Sequence, residues 1–139
     1  MIKLTDEMKE RTNNAFYDKK TCILATASKD GFPSVSFRGS MMAWDDEHLA
    51  YWERSHFWGE QNLEENPNVV VFYMDYPARV GWRFIGQATV YKDGEMRERI
   101  MERTIKEELE KDPDRKGLGV LIRIDKIRGY AGNAILQER

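Results

Sequence analysis

Ala50-Tyr51-Trp52-Glu53-Arg54-Ser55-His56, then Gln61-Asn62-Leu63-Glu64-Glu65-Asn66-Pro67, then the apolar run Val69-Val70-Val71-Phe72-Tyr73-Met74 read as strand, short helix, proline stop and buried strand. A helix is thereby expected to start directly after a strand that ends in aromatics and a cation. The first backbone N–H groups of a helix have no partner inside it, and its dipole is positive at that end, so the place suits an anion. An aromatic cofactor carrying a phosphate would match both halves of the pattern.

Working outward, Thr5 is the expected N-cap of a first helix, with Asp6 and Glu7 in its first turn and Lys19-Lys20 near its end. Leu4, Met8, Ala15 and Phe16 would form its inner stripe. Thr21 to Ser28 reads as a strand, Lys29-Asp30-Gly31 as a tight turn, and Pro33 as the start of a second strand. On that strand Val35 and Phe37 face one way, while Ser34, Ser36 and Arg38 face the other. A third strand around Ser40 to Trp44 returns through Asp45-Asp46-Glu47-His48 as Leu49 to Glu53.

Asn68 to Asp75 shows no polar alternation and is expected to be a central strand covered on both faces. Arg79 to Tyr91 is a long strand holding Gly81 and Gly86, each marking a bulge, a bend or the close approach of another backbone. Glu95 to Lys111 carries Met96, Ile100, Met101, Ile105 and Leu109 at helical spacing, a stripe that reads as core packing. Leu118 to Asp125 and Ile127 to Ala131 read as two further strands before a polar tail. The fold class expected is mainly β: an antiparallel split β-barrel of six or seven strands with peripheral helices, forming one domain over 1–139.

A chain of 139 residues buries roughly 70% of its unfolded surface and needs no disulfide or structural metal. Its single cysteine, Cys22, lies in an apolar strand with nothing nearby to activate a thiolate. The 24 acidic residues nearly balance the 22 basic ones, which excludes a field strong enough to imply nucleic acid or an anionic membrane. Met1 to Glu7 has no leader pattern and no run approaches the ~20 apolar residues of a membrane span, so a cytoplasmic location is expected.

The two histidines, His48 and His56, have no second ligand at metal spacing. Nucleophile elbow, phosphate loop and dinucleotide fingerprint are all lacking from the sequence. Asp45-Asp46 reads as a solvated turn rather than a catalytic pair. With few side chains suited to acid, base or nucleophilic work, a cofactor is the expected source of any chemistry. Arg38 and Arg54 are the cations best placed to hold one; on spacing alone they also read as ordinary surface arginines.

Three segments settle that choice by resemblance: 24–39 (Leu-Ala-Thr-Ala-Ser-Lys-Asp-Gly-Phe-Pro-Ser-Val-Ser-Phe-Arg-Gly), Asn62-Leu63-Glu64-Glu65-Asn66-Pro67-Asn68-Val69, and Arg83-Phe84-Ile85-Gly86-Gln87-Ala88. In this order and spacing the chain resembles the pyridoxamine 5'-phosphate oxidase-like family of FMN-binding split barrels. The resemblance implies a homodimer with two FMN molecules in clefts at the subunit interface. It implies that Ser36, Phe37, Arg38, Gly39 and Ser40 lie along the flavin ring and ribityl chain. Trp52, Arg54 and Ser55 would approach the phosphate, with Gln61 nearby on the helix. The reaction implied is oxidoreduction of a small molecule, with an electron donor such as a nicotinamide nucleotide. A non-catalytic module that stores or senses FMN, or another flat cofactor such as a deazaflavin or haem, is the alternative.

Two departures from the family pattern are visible. Gly59, preceded by Phe57-Trp58, stands where many members carry a lysine or arginine, so the phosphate would rely on Arg54 and backbone donors. The ending Ala134-Ile135-Leu136-Gln137-Glu138-Arg139 lacks the Arg-x-His of the oxidases proper, so oxidation of pyridoxamine phosphate itself is not expected. Phe37, Met41, Met42, Trp44, Tyr51, Trp52, Phe57, Trp58, Tyr73, Met74 and Trp82 look like more aromatic and methionine surface than one small barrel absorbs. Interface cores favour these residue types, which supports the homodimer expectation.

Overall fold

The structure, a computed structural model, describes residues 1–54 and 58–139. Among them one antiparallel sheet of eight strands runs in the order β2-β1-β5-β6-β7-β4-β3, with β8 added on β7. The strands are β1 (Cys22–Ala27), β2 (Pro33–Arg38), β3 (Met42–Ala43), β4 (His48–Glu53), β5 (Asn68–Asp75), β6 (Val80–Tyr91), β7 (Leu118–Gly129) and β8 (Ile135–Glu138). Strands β2 and β3 stand at opposite ends of the sheet order yet are consecutive in the chain, separated by residues 39–41. So short a link reaches only ~14 Å, which forces the sheet to curl until its edges meet. The result is the split barrel expected from the sequence.

The curl depends on β6. At Ile85/Gly86 its pairing with β7 shifts register, and a Cβ built on Gly86 would lie 1.9 Å from the Arg123 carbonyl oxygen. Only glycine permits that approach, and the extra residue at the shift, Asp125 of β7, bends that strand where it pairs with β6 on one side and β4 on the other. The barrel interior is filled by alternate residues of β1, β4, β5, β6 and β7, among them Leu24, Leu49, Tyr51, Val71, Tyr73, Phe84, Val120, Ile122 and Ile124.

Four helices accompany the sheet: α1 (Asp6–Asn14), α2 (Trp58–Glu65), α3 (Gly94–Arg103) and α4 (Lys106–Leu109). Thr5 caps α1 as expected, its hydroxyl accepting from the Met8 N–H at 3.1 Å. The helix stops at Asn14, however, and Lys19 adopts a left-handed φ of 59° beyond its end. Lys19-Lys20 therefore do not complement the dipole, and Arg11 is the basic residue of the last turn. No helix among the described residues is long and apolar enough to cross a membrane.

Several expectations are corrected. Among the described residues the expected polar tail adds an eighth strand, β8, an exposed edge strand whose side chains carry no core pattern. The two strands expected at the C-terminal end are one continuous β7: Asp125 is skipped in the pairing with β6, and pairing resumes at Lys126 opposite Ile85, so the break in apolar alternation marks a bulge within the strand rather than its end. The single helix expected over Glu95 to Lys111 breaks at Thr104 and Ile105. Thr104 is extended, with ψ 139°, and its hydroxyl donates to the Ile100 carbonyl at 2.8 Å, a local bond that competes with the next helical turn. Strand β5 is central, but only Val69, Val71 and Tyr73 are buried, while Val70, Phe72 and Met74 are half-buried.

The expected aromatic surplus is mostly consumed within one chain. Trp52 (2% exposed) and Trp82 (7%) are buried, with Met41, Met42, Tyr51 and Tyr73. On and beside β2, Phe32 (78% exposed), Val35 (68%) and Phe37 (69%) form an outward apolar face. Phe57 lies outside the described residues.

Gly86→Ala is expected to destabilise the fold by at least the upper end of the ~1–3 kcal/mol typical of overpacking. Gly31→Ala, at a hairpin turn with φ 84° and open space around it, should cost only ~1–2 kcal/mol. Urea denaturation of the two variants checks the ranking; equal losses would mean that the bulge between β6 and β7 does not depend on glycine.

Candidate functional site

A cleft of ≈ 940 Å³ opens where the two ends of the curled sheet meet. Its walls are residues 37–40 at the exit of β2, 52–54 at the end of β4, the segment after α1 with Phe16, Lys19 and Thr21, and the α4 region with Glu108, Lys111 and Asp112. This volume lies within the range of small-molecule sites, roughly 300–1,000 Å³.

Two contacts tie the walls together. Ser40 Oγ accepts from the Trp52 N–H at 3.0 Å and donates to the Trp52 carbonyl at 3.1 Å. Arg38 Nη2 pairs with Glu53 Oε2 at 3.2 Å, where the Glu53 side chain is almost fully buried. Strand alternation puts Tyr51 and Glu53 on the same inner face of β4, and the Arg38 guanidinium lies 5.8 Å from the Tyr51 ring centroid. Burial, reinforced by the Glu53 charge, pushes the Tyr51 hydroxyl well above the usual tyrosine range, so it stays protonated.

Six of the nine residues expected to hold a cofactor line this one cleft: Phe37, Arg38, Gly39, Ser40, Trp52 and Arg54. Ser36 stands behind them, its hydroxyl accepting from Arg38 Nη1 at 2.7 Å. The Ser40 hydroxyl is committed to the seam with Trp52. Trp52 is a wall rather than an open stacking surface: Arg97 covers its ring at 4.9 Å, and its Nε1 donates to Asp112 Oδ2 at 2.9 Å. Arg54 is nearly half exposed, with its Nε 3.9 Å from Glu108 Oε1.

Among the described residues, one expected residue is not brought to the cleft. Gln61 is exposed on α2 and donates to Glu65 at 3.4 Å. That helix packs near the far end of β1, where Asn62 Nδ2 donates to Thr26 Oγ1 at 3.2 Å. Ser55 and His56 lie outside the described residues, as does the expected anion site immediately ahead of α2.

The residues that sequence reasoning missed are Phe16, Lys19, Thr21, Glu53, Glu108, Lys111 and Asp112. A glutamate ending an apolar strand was a visible signal for Glu53. For Glu108 there was none, since only the break at Thr104 and Ile105 carries α4 over the cleft. Asp112 accepts from the N–H groups of Lys116 (3.0 Å) and Gly117 (2.8 Å) besides Trp52. Desolvation raises its carboxyl pKa, but these three bonds outweigh it and the net shift is downward.

The family model described as pyridoxamine 5'-phosphate oxidase matches residues 4–130, and no curated protein matches the sequence. Among solved structures, a variant of HupZ from Group A Streptococcus is 25% identical with a TM-score of 0.73, covering 91% of this chain and 98% of that chain. A putative pyridoxamine 5'-phosphate oxidase from Lactobacillus delbrueckii is also 25% identical, with a TM-score of 0.69 over 91% of this chain and 93% of that one. An FMN-binding protein from Syntrophomonas wolfei shares the fold, at 16% identity and a TM-score of 0.70, over 92% and 89% of the two chains.

Because the Asp112 carboxyl pKa is lowered on folding, its contribution to stability is present above the unfolded value of ~3.9 and lost as pH falls through the lower folded value. Asp112→Asn should therefore lower the Tm at neutral pH and leave a shallower loss of Tm below about pH 4 than in the unmodified protein. Thermal unfolding across that pH range checks it. Parallel curves would mean that the carboxylate contributes nothing.

Proposed function

The chain belongs to the pyridoxamine 5'-phosphate oxidase family, and we propose that it is a homodimeric FMN-binding protein that carries out oxidoreduction of a small molecule in the cleft between β2 and β4. The observation that carries this reading is the convergence of aromatic side chains and guanidinium groups on one cleft. Phe16 and Phe37 offer apolar surface to a flat ring, while Arg38, Arg54, Lys19 and Lys111 supply positive charge.

The residues present fit the group. Arg54 is reachable from solvent and held only by a long ion pair, so its planar fork can turn to a phosphate. Arg38 Nε is buried without a hydrogen-bond partner at the cleft wall, and a donor in that position suits an acceptor on a ligand. In this reading Arg54 holds the phosphate, and the backbone from Phe37 to Ser40 borders the ring. Glu53 fixes Arg38, and the buried Trp52 keeps water from one side. Bound FMN supplies the electron and hydride transfer; the protein supplies position and electrostatics.

A binding module without turnover is the second reading. It is favoured by one observation: the cleft carboxylates are engaged, Glu53 with Arg38, Glu108 with Lys111, and Asp112 with Trp52 and two backbone groups. Stopped-flow reduction of the loaded protein by NADH or NADPH separates the two. Repeated reduction and reoxidation with turnover supports the enzyme, and tight binding without turnover supports the module.

The dimer reading is supported by the outward apolar face of β2. Phe37 belongs both to that exposed face and to the cleft, so a second copy laid against β2 would cover it and close the cleft at once.

Two outcomes are expected. FMN should bind with the visible absorption of an enclosed flavin, and Arg54→Ala should weaken it by about 1.5–3 kcal/mol, roughly 10- to 150-fold, while riboflavin affinity stays put. Equal weakening of both ligands would remove Arg54 from the phosphate. Light scattering at micromolar concentration should give twice the chain mass, and Val35→Asp should shift it toward the monomer; a monomeric unmodified protein with full FMN affinity would overturn the shared cleft.

A further inference from the structure

Beside Arg54 lies an anion that the proposed function leaves without a role. Glu108 sits on α4 with only 7% of its side chain exposed, and its carboxylate meets Lys111 Nζ at 2.9 Å and Arg54 Nε at 3.9 Å. The same carboxylate lies flat on the backbone of Gly39. A Cβ built on that residue would fall 2.9 Å from both Cδ and Oε2 and 3.2 Å from Oε1. Glu108 thus fills a small compartment bounded by a glycine backbone and two cations, at the wall of the cleft.

Its two cations are unlike those of a permanent buried pair. Arg54 and Lys111 are each about half exposed, so another anion can reach both from solvent. The helix carrying Glu108 is a single turn, set off from α3 by extended backbone at Thr104 and Ile105. A one-turn helix has little cooperativity of its own, and displacing it breaks few hydrogen bonds.

We propose that Glu108 is a built-in competitor for the anionic group of the ligand: its carboxylate holds the subsite formed by Gly39, Arg54 and Lys111, and moves aside when a phosphate monoester enters. The proposal rests on the reading of Arg54 as the phosphate cation. It also assigns a selectivity. A phosphate monoester brings nearly two charges and three acceptor oxygens, enough to displace one carboxylate. A ligand bearing a single carboxylate exchanges like for like and gains nothing, so the device favours phosphorylated ligands.

The test is isothermal titration of the full chain with FMN, riboflavin and inorganic phosphate, comparing the unmodified protein with Glu108→Gln, Arg54→Ala and the double variant. Glu108→Gln should bind FMN about ten-fold tighter or more and strengthen inorganic phosphate as well, with riboflavin unchanged. In the Arg54→Ala background most of that gain should vanish, because the contested cation is gone. Unchanged or weaker binding of both FMN and phosphate by Glu108→Gln overturns the proposal, as does an equal gain for riboflavin. If no protein takes up flavin while phosphate binding still strengthens, the competitor stands and the FMN reading falls. Should Glu108→Gln fail to fold, Glu108→Ser replaces it and is judged by the same outcomes.

Discussion

The absence of a side chain at Gly86 is the constraint on which the rest of the structure depends. Its backbone lies so close to the Arg123 carbonyl that no Cβ fits between them, and at the register shift there the extra residue Asp125 bends β7. The bend lets β7 reach β4 while keeping β6, so the sheet curls rather than lying open. Once curled, its two ends meet at the three-residue link after β2. The seam there, Ser40 with Trp52 and Arg38 with Glu53, is what places an arginine, a buried glutamate and an aromatic wall around one opening. The cleft is thus a consequence of how the barrel closes.

Where local pattern and global fold agreed, the sequence was legible. The Thr5 cap, the Lys29-Asp30-Gly31 turn and the glycines of β6 are dictated by backbone sterics that act over a few residues, and each sits where the pattern put it. Most of the predicted cofactor residues converge because they flank the seam, in segments whose resemblance to a family was readable. What failed was non-local. Strand β8 has no apolar alternation because it is an exposed edge, held by its backbone pairing with β7. The helix break at Thr104 has no proline or glycine to announce it. Gln61, expected near a phosphate only through the resemblance, lies on α2, which docks through Asn62 and Leu63 toward the far end of β1. The aromatic count misled in a different way: the barrel interior takes Tyr51, Tyr73 and Trp82, and Trp52 is buried on the other face of β4 with Ile100 of α3.

The electrostatics of the cleft are mixed rather than simply positive. Lys19, Arg38, Arg54 and Lys111 face Glu53, Glu108 and Asp112 across it. A buried carboxylate is tolerated only when paired, and each acid here has its partner: Arg38 for Glu53, Lys111 for Glu108, the Trp52 indole and two amides for Asp112. The partners differ in how far they are committed. Arg38 is wrapped by Ser36, the Phe37 carbonyl and Glu53, so it is scaffold as much as ligand-binding group. Arg54 and Lys111 reach solvent and remain available. That division makes Arg54 the cation on which affinity for an anionic ligand should turn, with Glu108 as its internal rival.

The roles proposed for Arg54 and Glu108 both require that FMN bind in the cleft between β2 and β4. Mapping amide chemical shifts of the isotope-labelled protein during an FMN titration tests it most directly. The largest changes should fall on residues 37–40 and 52–54 and on Glu108 and Lys111 of the α4 wall, with Gln61 and the outer face of α1 unmoved. Changes concentrated at α1, or at α2 and the far end of β1, with residues 37–40 and 52–54 silent, would contradict it.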